Sequence, residues 1–279
     1  MSLKAARFVV HIGSVVNFVY AINFQWNLEI PHDVNGNRNS FGGAWKFMTF
    51  WNLWVQCGMS LICLLDILIH ETLSMAFSSS IRGFRDYYFS SLGFPVGTFV
   101  GFMFWGLWWI NRELVMPKAL DAYIPIYVNH MLHSTCLFMT LFELFSSRHS
   151  YASRARGLLT TSFFSAAYLA WVCYIAYAGG FWVYPIMEVF PPLQRGLFFA
   201  FSVLLVDLLY SWATSSMTLS GRTQFPLMSR GSTIENHINM NNLLKNNNHC
   251  FPSIVLLFRN MHLVIIYMTA FAYAFDFEL

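Results

Sequence analysis

The chain has 279 residues, of which 57% are hydrophobic and 10% charged, with a formal net charge of +3. A soluble domain carries about 25% charged residues, so the composition excludes an ordinary water-soluble globule, and the small, scattered charge excludes a nucleic-acid surface. The five cysteines give no disulfide framework, because Cys57, Cys63, Cys136 and Cys173 fall inside apolar runs and only Cys250 lies outside one.

In chain order, apolar runs occupy residues 8–26, 47–69, 88–110, 123–145, 158–178 and 193–213. Each is long enough to cross a hydrocarbon core of roughly 30 Å as a helix. The fold class expected is therefore all-α, a polytopic transmembrane helical bundle with six core spans. Lys4 and Arg7 precede the first run, which has no small-residue cleavage site and reads as a retained anchor. Pro31, Asn35, Gly36, Asn37 and Asn39 make the first connection turn-rich, and Gly179 and Gly180 close the fifth run. Trp182 and Tyr184 in the following FWVYP stretch read as interface anchors.

Three regions follow: a membrane core over residues 1–215, a polar Asn- and Ser-rich tail over 216–250, and a further apolar segment over 251–279. Arg259 and His262 interrupt the last segment, which is either a seventh span or an interfacial helix. Lys4, Arg7, Arg82, Arg85, Arg148, Arg154, Arg156, Arg222, Arg230 and Lys245 fall on one side of this topology. Arg38, Lys46, Arg112, Lys118 and Arg195 fall on the other. The excess of positive charge in cytosolic loops puts the N-terminus in the cytosol. The membrane is the endoplasmic reticulum or the plasma membrane.

Lipid offers no hydrogen-bond partners, so polar residues inside spans must face protein or a cavity. Thr49, Asn52 and Gln56 share one face of the second span, and His130 and His133 share one face of the fourth. A hydroxyl beside a neutral imidazole is the minimum equipment for nucleophilic acyl transfer, with Asn129, Glu143 or Asp66 as supporting acceptors and Asn52 or Asn129 as oxyanion donors. The same residues also serve simple helix-to-helix hydrogen bonding, and the two histidines also suit a metal, although no second histidine-rich cluster accompanies them.

Five blocks carry a resemblance: GGAWKFMTFWNLWVQ at 42–56, FRDYYFSSLGFPVGTFV at 84–100, NRELVMPKALDAYIPIYVNHMLHS at 111–134, HSYASRARGL at 149–158 and GFWVYP at 180–185. Together they resemble the androgen-induced, androgen-dependent TFPI-regulating protein family. The resemblance implies six-span intramembrane hydrolases that cleave fatty acid esters of hydroxy fatty acids with a Thr nucleophile and a His. It puts the nucleophile on Thr49 and the base on His133, with His130 as a supporting residue and no cofactor or metal. The expected partners are a lipid ester with long acyl chains and a free carboxylate, water as co-substrate, and the bilayer. Lys46, Arg112 and Lys118 are the basic candidates for the carboxylate. The alternative is a non-enzymatic membrane regulator, lipid-binding receptor or transporter. The apolar segment after residue 251 departs from the family pattern.

Overall fold

The computed structural model describes residues 3–31, 40–72, 75–147, 149 and 153–222. The tail beyond residue 222 and the segment over 251–279 lie outside the described residues, as do Arg38 and Arg148. Contacts divide the chain into Met1–Thr214 and Ser215–Leu279. The packing below belongs to the first unit.

All the described secondary structure is helical. The α-helices are α1 (Leu3–Asn27), α2 (Met48–Thr72), α3 (Met75–Tyr88), α4 (Phe94–Asn111), α5 (Ile126–His133), α6 (Thr135–Ser146), α7 (Arg154–Gly179), α8 (Pro185–Val189) and α9 (Pro192–Arg222). Five stretches are long and apolar enough to cross a membrane: Leu3–Asn27, Met48–Ile69, Ser79–Leu114, Arg154–Gly179 and Pro192–Ser215. The run expected at 123–145 is not one unbroken helix but the pair α5 and α6, separated at Ser134. Ser134 keeps a helical conformation, and its N–H still donates to the His130 carbonyl at 2.9 Å. Its hydroxyl is held by Trp105 Nε1 at 3.1 Å and by His130 Nδ1 at 3.0 Å.

The third run differs most from expectation. Helical structure begins at Met75, so Arg82 and Arg85 sit on α3 and not in a loop. The reason is electrostatic: the buried Arg85 guanidinium bonds Asp66 of α2 and its neighbour Asp86, so α3 joins the bundle through a polar face that hydropathy does not detect. A five-residue π segment, Phe89–Gly93, then joins α3 to α4. Pro95 at the start of α4 has no N–H to give the Ser91 carbonyl four residues back. Thr161 of α7 supplies the missing donor at 2.7 Å, and Gln56 of α2 donates to the Gly93 carbonyl at 2.8 Å. Broken backbone pairing thus becomes interhelical contact, as membrane helices require.

The core is formed by Phe18 and Ala21 of α1, Phe50 and Leu53 of α2, Val96 and Val100 of α4, Val128 and Leu132 of α5, and Cys136 of α6. Close approach depends on Gly97, where an added Cβ would meet Gln56 Nε2 at 2.5 Å and Thr140 Cγ2 at 2.7 Å.

Thr161→Val should destabilise the detergent-solubilised protein by about 1 kcal/mol, because the Ser91 carbonyl loses its outside donor. Thr161→Ser should restore most of the loss. Thermal unfolding of the two variants beside wild type measures this, and equal midpoints for Val and Ser would contradict it.

Candidate functional site

The site is built at the first turn of α2. Gly42, at a φ of 91° that only glycine takes easily, turns the chain into a short 3₁₀ turn, Gly43–Lys46. Trp45 fixes this turn, its carbonyl accepting from Trp51 Nε1 at 2.7 Å and Trp171 Nε1 at 3.0 Å. Helix α2 then starts at Met48, whose N–H donates to the Tyr184 hydroxyl at 2.9 Å. Thr49 follows as its second residue. First-turn N–H groups have no carbonyl four residues back within the helix, and among the described residues the Thr49 N–H has no hydrogen-bond partner.

Thr49 Oγ1 lies 3.1 Å from His133 Nε2. The opposite ring nitrogen, Nδ1, is 2.9 Å from Asn129 Oδ1 and 3.2 Å from the Asn129 carbonyl. A carbonyl only accepts, so Nδ1 carries the proton and the neutral ring turns an Nε2 lone pair toward Thr49. His133 is buried, and Phe104 of α4 stacks on it with ring centroids 3.5 Å apart at an interplanar angle of 7°. The ring is therefore held by stacking on its face and by hydrogen bonding at its edge.

Thr49 lines a cavity of about 130 Å³ between α2, α4, α7, α8 and α9. Its walls include Val100, Met103, Leu107, Val172, Met187 and Val206, with Tyr168, Tyr184 and Ser165 among the few polar groups. The Tyr168 hydroxyl donates to the Lys46 carbonyl at 2.9 Å and sits 2.7 Å from the Tyr184 hydroxyl. Tyr184, expected at the membrane interface, joins the start of α2 to this cavity. Burial pushes its phenol pKa up, so it remains a protonated donor at neutral pH.

The remaining expected site residues divide clearly. Asn129 reaches His133, as described. Asn52 is fully buried one turn below Thr49, but its side-chain oxygen accepts from Gln56 at 3.1 Å, and neither Asn52 nor Asn129 lines the cavity. His130 is exposed, stacks on Trp105 and bonds Ser134. Lys46 is buried with its ammonium 3.1 Å from Ser40 Oγ and 5.3 Å from the centre of the Phe181 ring. Arg112 lies over Trp108 and pairs with Asp121. Lys118 is exposed.

Glu143 and Asp66 are not brought to Thr49. Glu143 accepts from Arg7 at 3.4 Å and lies 3.2 Å from His11 Nε2, while Asp66 pairs with Arg85. His149 extends this network, with Nδ1 3.0 Å from Asp86. His11, Cys63 and Glu143 place potential metal ligands within 4.8 Å of one another. The Arg7 cation on the same carboxylate disfavours a divalent ion there, and arginine pairing already accounts for the buried acids.

Comparison with known proteins agrees with this architecture. Residues 6–216 match the FAR-17a/AIG1-like protein family. The chain belongs to that family. It is 36% identical to the human androgen-induced gene 1 protein over 181 residues, covering 62% of this chain and 76% of that one. It is 32% identical to the human androgen-dependent TFPI-regulating protein over 196 residues, covering 70% and 85%. A UPF0641 membrane protein of Schizosaccharomyces pombe shares 23% identity over 194 residues, 69% of this chain and 81% of that one. No solved structure matches. The FAR-17a/AIG1-like match spans every element of the site, from α1 into the last turns of α9.

Replacing Asn129 by Leu should remove the 2.9 Å side-chain acceptor of His133 Nδ1 and loosen the ring, leaving only the backbone carbonyl and Phe104 to hold it, with Thr49 in place. If His133 acts as a base, turnover should fall roughly 100-fold, the low end of what a positioned base contributes, with unfolding temperature nearly unchanged. Full activity in the Leu variant would remove Asn129 from the site.

Proposed function

We propose that this FAR-17a/AIG1-like protein is a metal-independent intramembrane hydrolase of fatty acid esters of hydroxy fatty acids, with Thr49 as nucleophile and His133 as general base and acid. The observation that carries this reading is the 3.1 Å contact between Thr49 Oγ1 and His133 Nε2, with Thr49 itself lining an apolar cavity. The family resemblance supports the same two positions.

In this mechanism Thr49 Oγ1 attacks the ester carbonyl carbon as its proton passes to His133 Nε2. The carbonyl π pair moves onto oxygen, then returns and expels the hydroxy fatty acid alkoxide, which takes the proton from His133. Water, activated by the same nitrogen, resolves the acyl-threonine and releases the fatty acid. The Nδ1–H bond to Asn129 is made throughout, so the imidazolium formed in each step keeps its orientation. No metal is required at any step.

The apolar walls suit an acyl chain. Burial from water is worth about 0.8 kcal/mol per CH₂, but a substrate already in lipid gains much less, so the cavity supplies orientation more than affinity. Lys46, Arg112 and Lys118 belong to the same end of the bundle as Thr49 in the proposed topology and are the groups for the free carboxylate. In that topology the N-terminus is cytosolic, residues 1–215 form the hydrolase core, α5 and α6 make a sixth crossing, and the membrane is the endoplasmic reticulum or plasma membrane. The tail over 216–250 and the apolar segment over 251–279 are peripheral to catalysis.

Thr49→Ala and His133→Ala should each abolish hydrolysis of a palmitoyl ester of a hydroxystearic acid by purified protein, while Thr49→Ser retains part of it. Chelators should leave the wild-type rate unchanged. An acylating probe should label wild type and neither Ala variant. Wild-type turnover in Thr49→Ala would refute the assignment, and intact lipid binding without labelling would favour a receptor or transporter.

A further inference from the structure

The hydrolase reading leaves open what stabilises the negative charge on the carbonyl oxygen while the acyl-threonine forms. A helix interior has no free donors for this, because its N–H groups are spent on the ladder. The two asparagines expected to serve, Asn52 and Asn129, do not line the cavity. The donors must therefore come from elsewhere around Thr49.

We infer that the Tyr184 hydroxyl, assisted by the Thr49 backbone N–H, is the oxyanion donor of this site, a role that rests on the Thr49–His133 hydrolase reading. Both residues line the same cavity, and Tyr184 is bonded to the N–H of the residue immediately before the nucleophile. The Thr49 N–H lies in the first turn of a 25-residue helix, where the positive end of the macrodipole favours an anion. The nucleophile's own N–H is also near any oxygen left on the carbon that Thr49 attacks.

Proton accounting gives Tyr184 a donor to deploy. Tyr168 has one proton and gives it to the Lys46 carbonyl. The bond of 2.7 Å between the two phenols must then use the Tyr184 proton. With Met48 N–H filling one lone pair of Tyr184, the phenol oxygen is held in place while its hydrogen remains free to rotate. As charge develops on the ester oxygen, that hydrogen exchanges a neutral bond to Tyr168 for a charge-assisted one, which is roughly twice as strong. No proton is transferred from Tyr184, and the C–O bonds form and break as written above. The interaction is stronger in the transition state than in the ground state, so it should appear in kcat and not in KM.

The test uses the full-length protein in lipid nanodiscs with a palmitoyl ester of a hydroxystearic acid. Tyr184→Phe should lower kcat on the order of 100-fold, with KM nearly constant. Inhibition by a palmityl trifluoromethyl ketone, whose adduct with Thr49 carries an oxyanion, should weaken by a similar factor, while binding of the non-hydrolysable ether analogue is unchanged. Equal weakening of ketone and ether would overturn the assignment, as would wild-type kcat in Tyr184→Phe, and 3-fluorotyrosine at position 184, which keeps the bond to Met48, separates an oxyanion contact from displacement of Thr49. Should the Phe variant fail to fold, 3-fluorotyrosine at position 184 keeps the phenol. Its fluorine resonance should then move on binding the ketone but not the ether, and identical responses would overturn the assignment. Thr49→Ala is assayed in parallel. If it keeps full turnover the hydrolase reading falls, whereas an inactive Thr49→Ala beside a fully active Tyr184→Phe removes the oxyanion assignment alone.

Discussion

The N–H of Met48 donates to the Tyr184 hydroxyl at 2.9 Å and ties the first turn of α2 to the loop after α7. From that start the helix repeat puts Thr49, Asn52 and Gln56 on one face. Thr49 then reaches His133, and Gln56 reaches the Gly93 carbonyl in the π segment. The cap crosses 136 residues of sequence, so the first turn of α2 is determined by the loop after α7.

The other end of α2 is governed by charge. Asp66 lies about 26 Å from Thr49 along the helix axis, where it joins Arg85, Asp86, His149, Glu143 and Arg7 across α1, α2, α3 and α6. A buried ion pair is weak evidence of stability, because desolvation offsets much of the attraction, but loss of one partner strands a charge. Here the network ties together four helices whose apolar faces alone would slide against one another. The molecule therefore separates its polar interior into a charged cluster that fixes helix arrangement and an uncharged Thr–His–Asn chain beside an apolar cavity.

The sequence made part of this legible. Polar residues inside apolar runs put Thr49, Asn52 and Gln56 on one face and His130 and His133 on another, because helical spacing is local, while simple helix-to-helix hydrogen bonding remained an equally open use of the same groups. The family resemblance singled out Thr49 and His133 for the proposed roles of nucleophile and base. What periodicity missed lay in long-range pairing. Arg82 and Arg85 read as loop charge because hydropathy registers their cost and not the presence of Asp66 on another helix. Tyr184 read as an interface anchor because an aromatic residue beside Pro and Gly at the end of a span usually is one; its bond to Met48 N–H has no local signature. The division at Ser134 was also hidden, since nothing in HMLHSTCL breaks a helix by propensity. Pro95 within the third run was the one local signal that the ladder there would need an outside donor.

In the proposed mechanism the nucleophile is a threonine, which is more constrained than serine. Its β-branch restricts χ1, so at the second residue of α2 the hydroxyl and the methyl take fixed directions, with the hydroxyl meeting Nε2 of His133. The His133 ring has little freedom either, between Phe104 on its face and Asn129 at its edge. The cavity that Thr49 lines has a volume of about 130 Å³, well below the roughly 300–1,000 Å³ of sites that enclose a whole drug-sized ligand. A long-chain lipid ester would therefore bury only a segment there and leave the rest along the helix surfaces, in contact with bilayer. Since transfer from lipid to such a cavity releases little free energy, binding contributes little toward distorting the substrate. In the proposed mechanism the rate would then have to come from groups already aligned at the first turn of α2, where Phe104 and Asn129 hold His133 against Thr49.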